Sequence, residues 1–367
     1  MNKKLSVFVV ILALVFLSGC GSSQKTDVND EQMPQASEGE QEALSNNGVS
    51  MDNNSSADKA SSNTVPSGPV EITYIDRNGN QHIVDLSQLP SSTGKGGFIK
   101  STGAVVEPAS FQGPLLQDLA DVFGGYTEED ALEITATDKY VMTLSKEQAQ
   151  GEVAVYDEKG ALLQEADPLN VMIALETDDQ EMQEGMPRVV FVNEQAPITD
   201  GHFWVRNVAQ IKIVPSVIEW NLNMHGITQY VCDRSTFESV ANCHNSPHPP
   251  QIYEQENKSG GIDTYEGIAL WVMLSAVDGN DLPSGHYSFN KELVDQGYTV
   301  QLYAEDGFMV ELTSEEIAYN QNIILAYKKN GSPLAEEDGP LQLVGSGLPT
   351  KKHAIKNITK IELVDLP

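Results

Sequence analysis

The feature that most constrains this chain is that its last three hundred residues are written twice. Phe111-Gln112-Gly113-Pro114-Leu115-Leu116 matches Tyr265-Glu266-Gly267-Ile268-Ala269-Leu270 at an offset of 154. Thr137-Asp138-Lys139-Tyr140-Val141-Met142-Thr143-Leu144-Ser145 matches Glu305-Asp306-Gly307-Phe308-Met309-Val310-Glu311-Leu312-Thr313 at 168, and the surplus falls in an insertion around 283–297. Trp204-Val205-Arg206-Asn207-Val208-Ala209-Gln210-Ile211 matches Ala354-Ile355-Lys356-Asn357-Ile358-Thr359-Lys360-Ile361 at 150. Solenoid repeats are shorter than this, so the period means two copies of a whole domain, with the boundary near Pro215. The expected division is 69–215 and 216–367.

Each copy shows the same order of signals. Ile72–Ile75 and His82–Leu86 flank Asp76-Arg77-Asn78-Gly79-Asn80, a hairpin with Asn-Gly at its tip. The aromatic-x-Gly triplet is expected to open a short helix, with apolar residues at helical spacing through Leu115, Leu116, Leu119, Val122 and Phe123. Strands meeting at Asp138-Lys139 and Asp306-Gly307 come next, then helical turns capped by Ser145 and by Thr313 or Ser314, with glutamates two or three residues on. Val208–Val214 and Ile358–Val364 close the copies as strands. Strands and short helices do not alternate regularly, so the expected class is α+β with mixed sheets, not a doubly wound fold.

What precedes the repeats has a different composition. Lys3 and Lys4 head an apolar run, Leu5–Leu17, whose thirteen residues are too few to span a bilayer, so 1–20 reads as a signal peptide. Leu17-Ser18-Gly19-Cys20 resembles a bacterial lipobox. The resemblance implies cleavage before Cys20, a diacylglyceryl thioether on its sulfur, and a lipid-anchored protein on the extracytoplasmic face of the cell membrane. Residues 21–68 are Ser, Asn, Gln and acidic residues with no apolar pattern, an acidic disordered stalk that cannot bury enough surface to fold.

The repeats themselves resemble the molybdopterin-binding domain of the sulfite-oxidase-like oxidoreductases. The residues that carry this are Val84-Asp85-Leu86-Ser87-Gln88-Leu89-Pro90, both aromatic-x-Gly triplets, Asp306-Gly307-Phe308, Asp338-Gly339-Pro340-Leu341-Gln342-Leu343-Val344 and Asn357-Ile358-Thr359-Lys360-Ile361. These are scaffold motifs, and a scaffold does not imply chemistry. The family's chemistry requires a cysteine thiolate on molybdenum upstream of the aromatic-x-Gly segment and basic groups for the pterin phosphate. The first repeat has no cysteine; in the second, Cys243 lies 22 residues before Tyr265, and Arg234 is the only arginine.

Three readings of function follow. The first is a binding or accessory module on this scaffold, without cofactor, with a protein or small-molecule ligand. The second is a molybdopterin-dependent oxidoreductase with Cys243 as molybdenum ligand and Arg234 on the cofactor. The third is zinc or copper binding by Cys232, Cys243, His244 and His248, with His225 nearby, since thiolate and imidazole suit those metals. A Cys232–Cys243 disulfide competes with the last two. Nucleic acid is excluded as a partner by the charge of −31, because a phosphate backbone is held by clustered Lys and Arg. Ser92-Thr93-Gly94-Lys95-Gly96-Gly97 lacks P-loop spacing and reads as a flexible loop, and the acidic run Glu176–Glu184 reads as a solvated one. Trp204, Trp220 and Trp271 are expected in the core or at strand edges.

Overall fold

The structure is a computed structural model and describes residues 68–244, 246–280 and 287–367. The leader, Cys20 and all of the stalk except Gly68 lie outside the described residues, as does part of the insertion. No helix among the described residues is long and apolar enough to cross a membrane.

Two five-stranded sheets have the same strand order. In the first, the hairpin Glu71–Ile75 and Gln81–Asp85 lies beside Val208–Pro215, which runs parallel to Glu71–Ile75 and is followed by Asp130–Ala136 and Val141–Leu144. In the second, Asn221–His225 and Gln229–Asp233 lie beside Ile358–Val364, then Thr299–Ala304 and Met309–Thr313. The last strand of each copy is thus its centre. The register fixes the correspondence at an offset of 150, since Thr73 faces Gln210 and Asn223 faces Lys360. A second sheet packs over each, built on Ser92–Ile99 with Val105–Gly113 in the first copy and on Gln251–Glu256 with Ile262–Ala269 in the second. The mixed sheets and short helices make the fold α+β.

Backbone geometry shows why the matched residues are shared. Asn207 and Asn357 both have left-handed φ, +53° and +52°, and their carbonyls accept from Thr137 and Glu305 N–H, each at 2.9 Å. Asparagine tolerates that region better than most residues. Ser145 and Thr313 each form a capping box, with Gln148 and Glu316 respectively.

Three expectations are corrected. The aromatic-x-Gly triplets lie in strands, Val105–Gly113 and Ile262–Ala269, and do not open helices; the helices start three residues later, at Leu116 and Leu270. Their glycines are required by packing: a Cβ on Gly113 would lie 2.2 Å from the Ile173 carbonyl oxygen, and one on Gly267 would lie 2.1 Å from that of Leu325. The segment from Ser92 is a strand, not a flexible loop. Cβ atoms on Gly94 and Gly96 would meet Val192 Cγ2 at 2.7 Å and the Phe191 oxygen at 2.3 Å, so these glycines allow the strand Arg188–Val192, paired with Asn170–Ala174 in a separate two-stranded sheet, to approach. The acidic run contains a two-residue strand, Glu176–Thr177, and a turn of helix, Gln180–Gln183, capped by Asp179.

Candidate functional site: the cleft between the repeats

The hairpin that starts each copy ends in an N-cap aspartate. Asp85 caps a short 3-10 turn, Leu86–Gln88, whereas Asp233 caps a full helix, Arg234–Ala241. The carbonyls of Val70 and Trp220 accept from Leu86 and Arg234 N–H at 2.9 and 3.0 Å, which makes Arg234 the counterpart of Leu86. The longer helix packs on the first repeat's strand Val141–Leu144, and its polar side chains bind there.

Glu238 is 2% exposed and accepts from Thr143 N–H at 3.1 Å and from Thr143 Oγ1 at 2.7 Å. Arg234, 5% exposed, donates to Glu238 at 2.9 Å, to Glu219 at 2.8 and 3.0 Å, and across the repeats to the Thr143 carbonyl and Gln148 Oε1 at 3.0 and 3.1 Å. Lys328 stands 3.7 Å from Glu238 and 3.9 Å from Glu133. Burial of two ions is tolerated here because nearly every donor and acceptor is used.

Beside this junction opens a cleft of about 680 Å³, walled by both repeats. Glu152, Asp167 and Asp200 come from the first repeat, Glu219 and Asp233 from the second, and among the described residues no Lys, Arg or His lines it. Phe203 and Trp220 belong to its apolar wall. Trp220 is half-buried with its ring edge-on to Phe237 at 5.5 Å, while Trp204 and Trp271 are core residues, each 5% exposed.

The carboxylates differ in state. Burial pushes Asp200 up to about 6 against a lowering hydrogen bond from Tyr156, whose hydroxyl is 3.1 Å from both carboxylate oxygens; the charge of Asp233 adds to the rise. Burial works against Asp233 as well, but hydrogen bonds from Ser235 and the Thr236 N–H, and the nearby His202, hold it below the ordinary value. Burial pushes His202 down to about 4, against the pull of Asp233.

Ser235, His202 and Asp233 superficially suggest a nucleophilic serine. The hydrogen-bond directions argue otherwise: Ser235 Oγ donates its single proton to Asp233 Oδ1 at 2.6 Å, so His202 Nε2, 3.1 Å from Oγ, faces it as a donor. A general base would have to accept there. With Ser235 only 3% exposed, the group ties the repeats together.

The residues singled out from sequence are distributed differently. Cys232 and Cys243 are free thiols. Cys232 is fully buried on the strand Gln229–Asp233, and burial raises its thiol pKa strongly, as does Asp233 to a smaller extent. Cys243 is half-buried beyond the helix, His244 is exposed, and His248 is 3% exposed with Nδ1 3.1 Å from Ser246 Oγ. Among the described residues no three His, Cys, Asp or Glu side chains gather around a point that would hold a metal. Arg234 is poorly placed to hold the molybdopterin phosphate. Nε, one N–H of Nη1 and both of Nη2 of Arg234 are engaged by two glutamates and two oxygens of the first repeat, which leaves no bidentate fork for a phosphate. The cleft acids were not foreseen. The repetition of Asp85-Leu86-Ser87 as Asp233-Arg234-Ser235, a buried leucine replaced by arginine, was the available signal.

No protein-family model matches the sequence, and no curated protein matches it. Among solved structures the chain is similar to the sulfane dehydrogenase SoxCD from Paracoccus pantotrophus, at 11% identity and a TM-score of 0.28 over 80% of this chain and 74% of that one.

Proposed function

We propose that this chain is a binding module held on the extracytoplasmic face of the membrane by a lipidated Cys20, built on two sulfite-oxidase-like domains and working without a cofactor. The observation that carries it is the cleft, a pocket of about 680 Å³ whose walls come from both copies, within the range of small-molecule sites. The duplicated strand order and the paired Gly113 and Gly267 support the scaffold reading. The leader and the composition of 21–68 support the address: two acyl chains anchor stably where one is marginal.

Two measurements test this. Cys20→Ala moves the protein from the membrane fraction to the medium; retention in the membrane removes the anchor. Ala166→Trp fills the cleft mouth from an exposed position, and small molecules of cationic, neutral and anionic classes are screened by thermal shift on both proteins. At least one class stabilises the parent and not the filled variant; no difference in any class overturns the cleft as the binding site.

A further inference from the structure

We infer that the ligand of the cleft is a small aliphatic amine carrying at least two ammonium groups. This rests on the reading of the cleft as the binding site and adds the chemistry it selects. Acids stand on both walls, Glu152 and Asp167 on one and Glu219 and Asp233 on the other, with Asp200 on the first repeat's side. Among the described residues only Glu219 of these five is ion-paired to a Lys or Arg. Arg234 is adjacent, but its donors point to Glu219, Glu238, Thr143 and Gln148 and supply nothing to the cavity.

An anion would meet five carboxylates and no cationic side chain of the lining, and a neutral polyol would leave the carboxylates uncompensated. A monovalent ammonium balances one wall. A chain with an ammonium at each end balances both, and its methylenes lie along Val153, Val155, Leu163, Pro168 and Phe203. Trp220, half-buried, lines the second repeat's wall beside these acids, and an indole ring attracts an ammonium through its quadrupole. A divalent metal ion suits the charge and not the geometry, since no three ligating groups converge among the described residues.

The test is isothermal titration of the purified protein with cadaverine and spermidine, with 1,5-pentanediol and glutarate as neutral and anionic counterparts, and with calcium chloride alone. The expected result is heat with the amines only, lost in Ala166→Trp. Glu152→Gln and Asp167→Asn, both at exposed positions, each weaken affinity about tenfold, as befits one lost charge-assisted contact. Heat from the amines that is unchanged in all three variants overturns the inference, and so does absence of heat. Binding of pentanediol or glutarate, or of calcium that cadaverine fails to displace, overturns the amine class; if Ala166→Trp abolishes it, the cleft remains the binding site. No heat from any compound, together with a flat thermal-shift screen, removes both readings.

Discussion

Glu238 of the second repeat accepts both the main-chain N–H and the hydroxyl of Thr143 in the first, at 3.1 and 2.7 Å. One carboxylate therefore ends the hydrogen-bond requirement of a strand in one copy while balancing Arg234 in its own helix.

Truncating that carboxylate leaves a buried guanidinium beside an unpaired N–H. Glu238→Ala is expected to lower unfolding free energy by about 3–5 kcal/mol, as breaking buried pairs does. Thr143→Val costs less, about 1–2 kcal/mol, because the charge pair survives. Urea denaturation of both and of the double variant measures the coupling. Strictly additive losses would show that the two residues do not act together.

The paired glycines should fail alike. Gly113→Ala and Gly267→Ala each place a methyl within 2.2 Å of a carbonyl oxygen, so each is expected to cost about 1–3 kcal/mol through displaced backbone. Gly68→Ala, with nothing within 4 Å of its Cβ, is the control and should not change the urea midpoint. Equal midpoints for all three would contradict the close approach.

Asp200 and His202 respond oppositely to acid. The raised Asp200, at about 6 against an ordinary 3.8, is penalised while ionised, so the fold gains stability as pH falls from about 6 towards 4. The lowered His202, at about 4 against 6.5, favours the fold while neutral, so stability is lost as pH falls through the same window. Each shift corresponds to about 3 kcal/mol, and the two largely cancel. Asp200→Asn should therefore lose stability between pH 6.5 and 4.5 relative to the parent, and His202→Gln should gain it. Parallel urea-midpoint curves for the three proteins would refute the opposition.

The cysteines should be distinguishable by reactivity. Cys232 is fully buried with its thiol held protonated, and Cys243 is half-buried. In the Cys20→Ala background one thiol is expected to react with Ellman's reagent in the native state and two after denaturation. A denatured count of zero would mean that the pair is joined.

The matches that announced the duplication fall where backbone demands a particular residue: the asparagines with positive φ, the glycines under a carbonyl, the capping boxes. Such demands are set by backbone geometry and repeat with the fold, which is why a single sequence displays them. The Gly-rich strand was misjudged because its glycines answer to a distant sheet through Val192 and Phe191. The cleft was less legible still. Its acids come from segments as far apart as Glu152 and Asp233, and the packing of the helix Arg234–Ala241 on Val141–Leu144 helps to bring them together. Cys243, His244 and His248 drew attention by proximity in sequence, yet their side chains do not converge on one point.

The buried pairing of Arg234 and Glu238 with Thr143 also governs how the chain comes apart. Loosening the first copy takes Thr143 and Gln148 away from Arg234 and Glu238, and loosening the second leaves the Thr143 N–H and carbonyl without those partners, so the copies should melt in one calorimetric peak whose van't Hoff and measured enthalpies agree. The second copy expressed alone would carry a naked charge pair on its surface. A single peak would make the duplicated chain one cooperative body; two peaks would make it two beads on a tether.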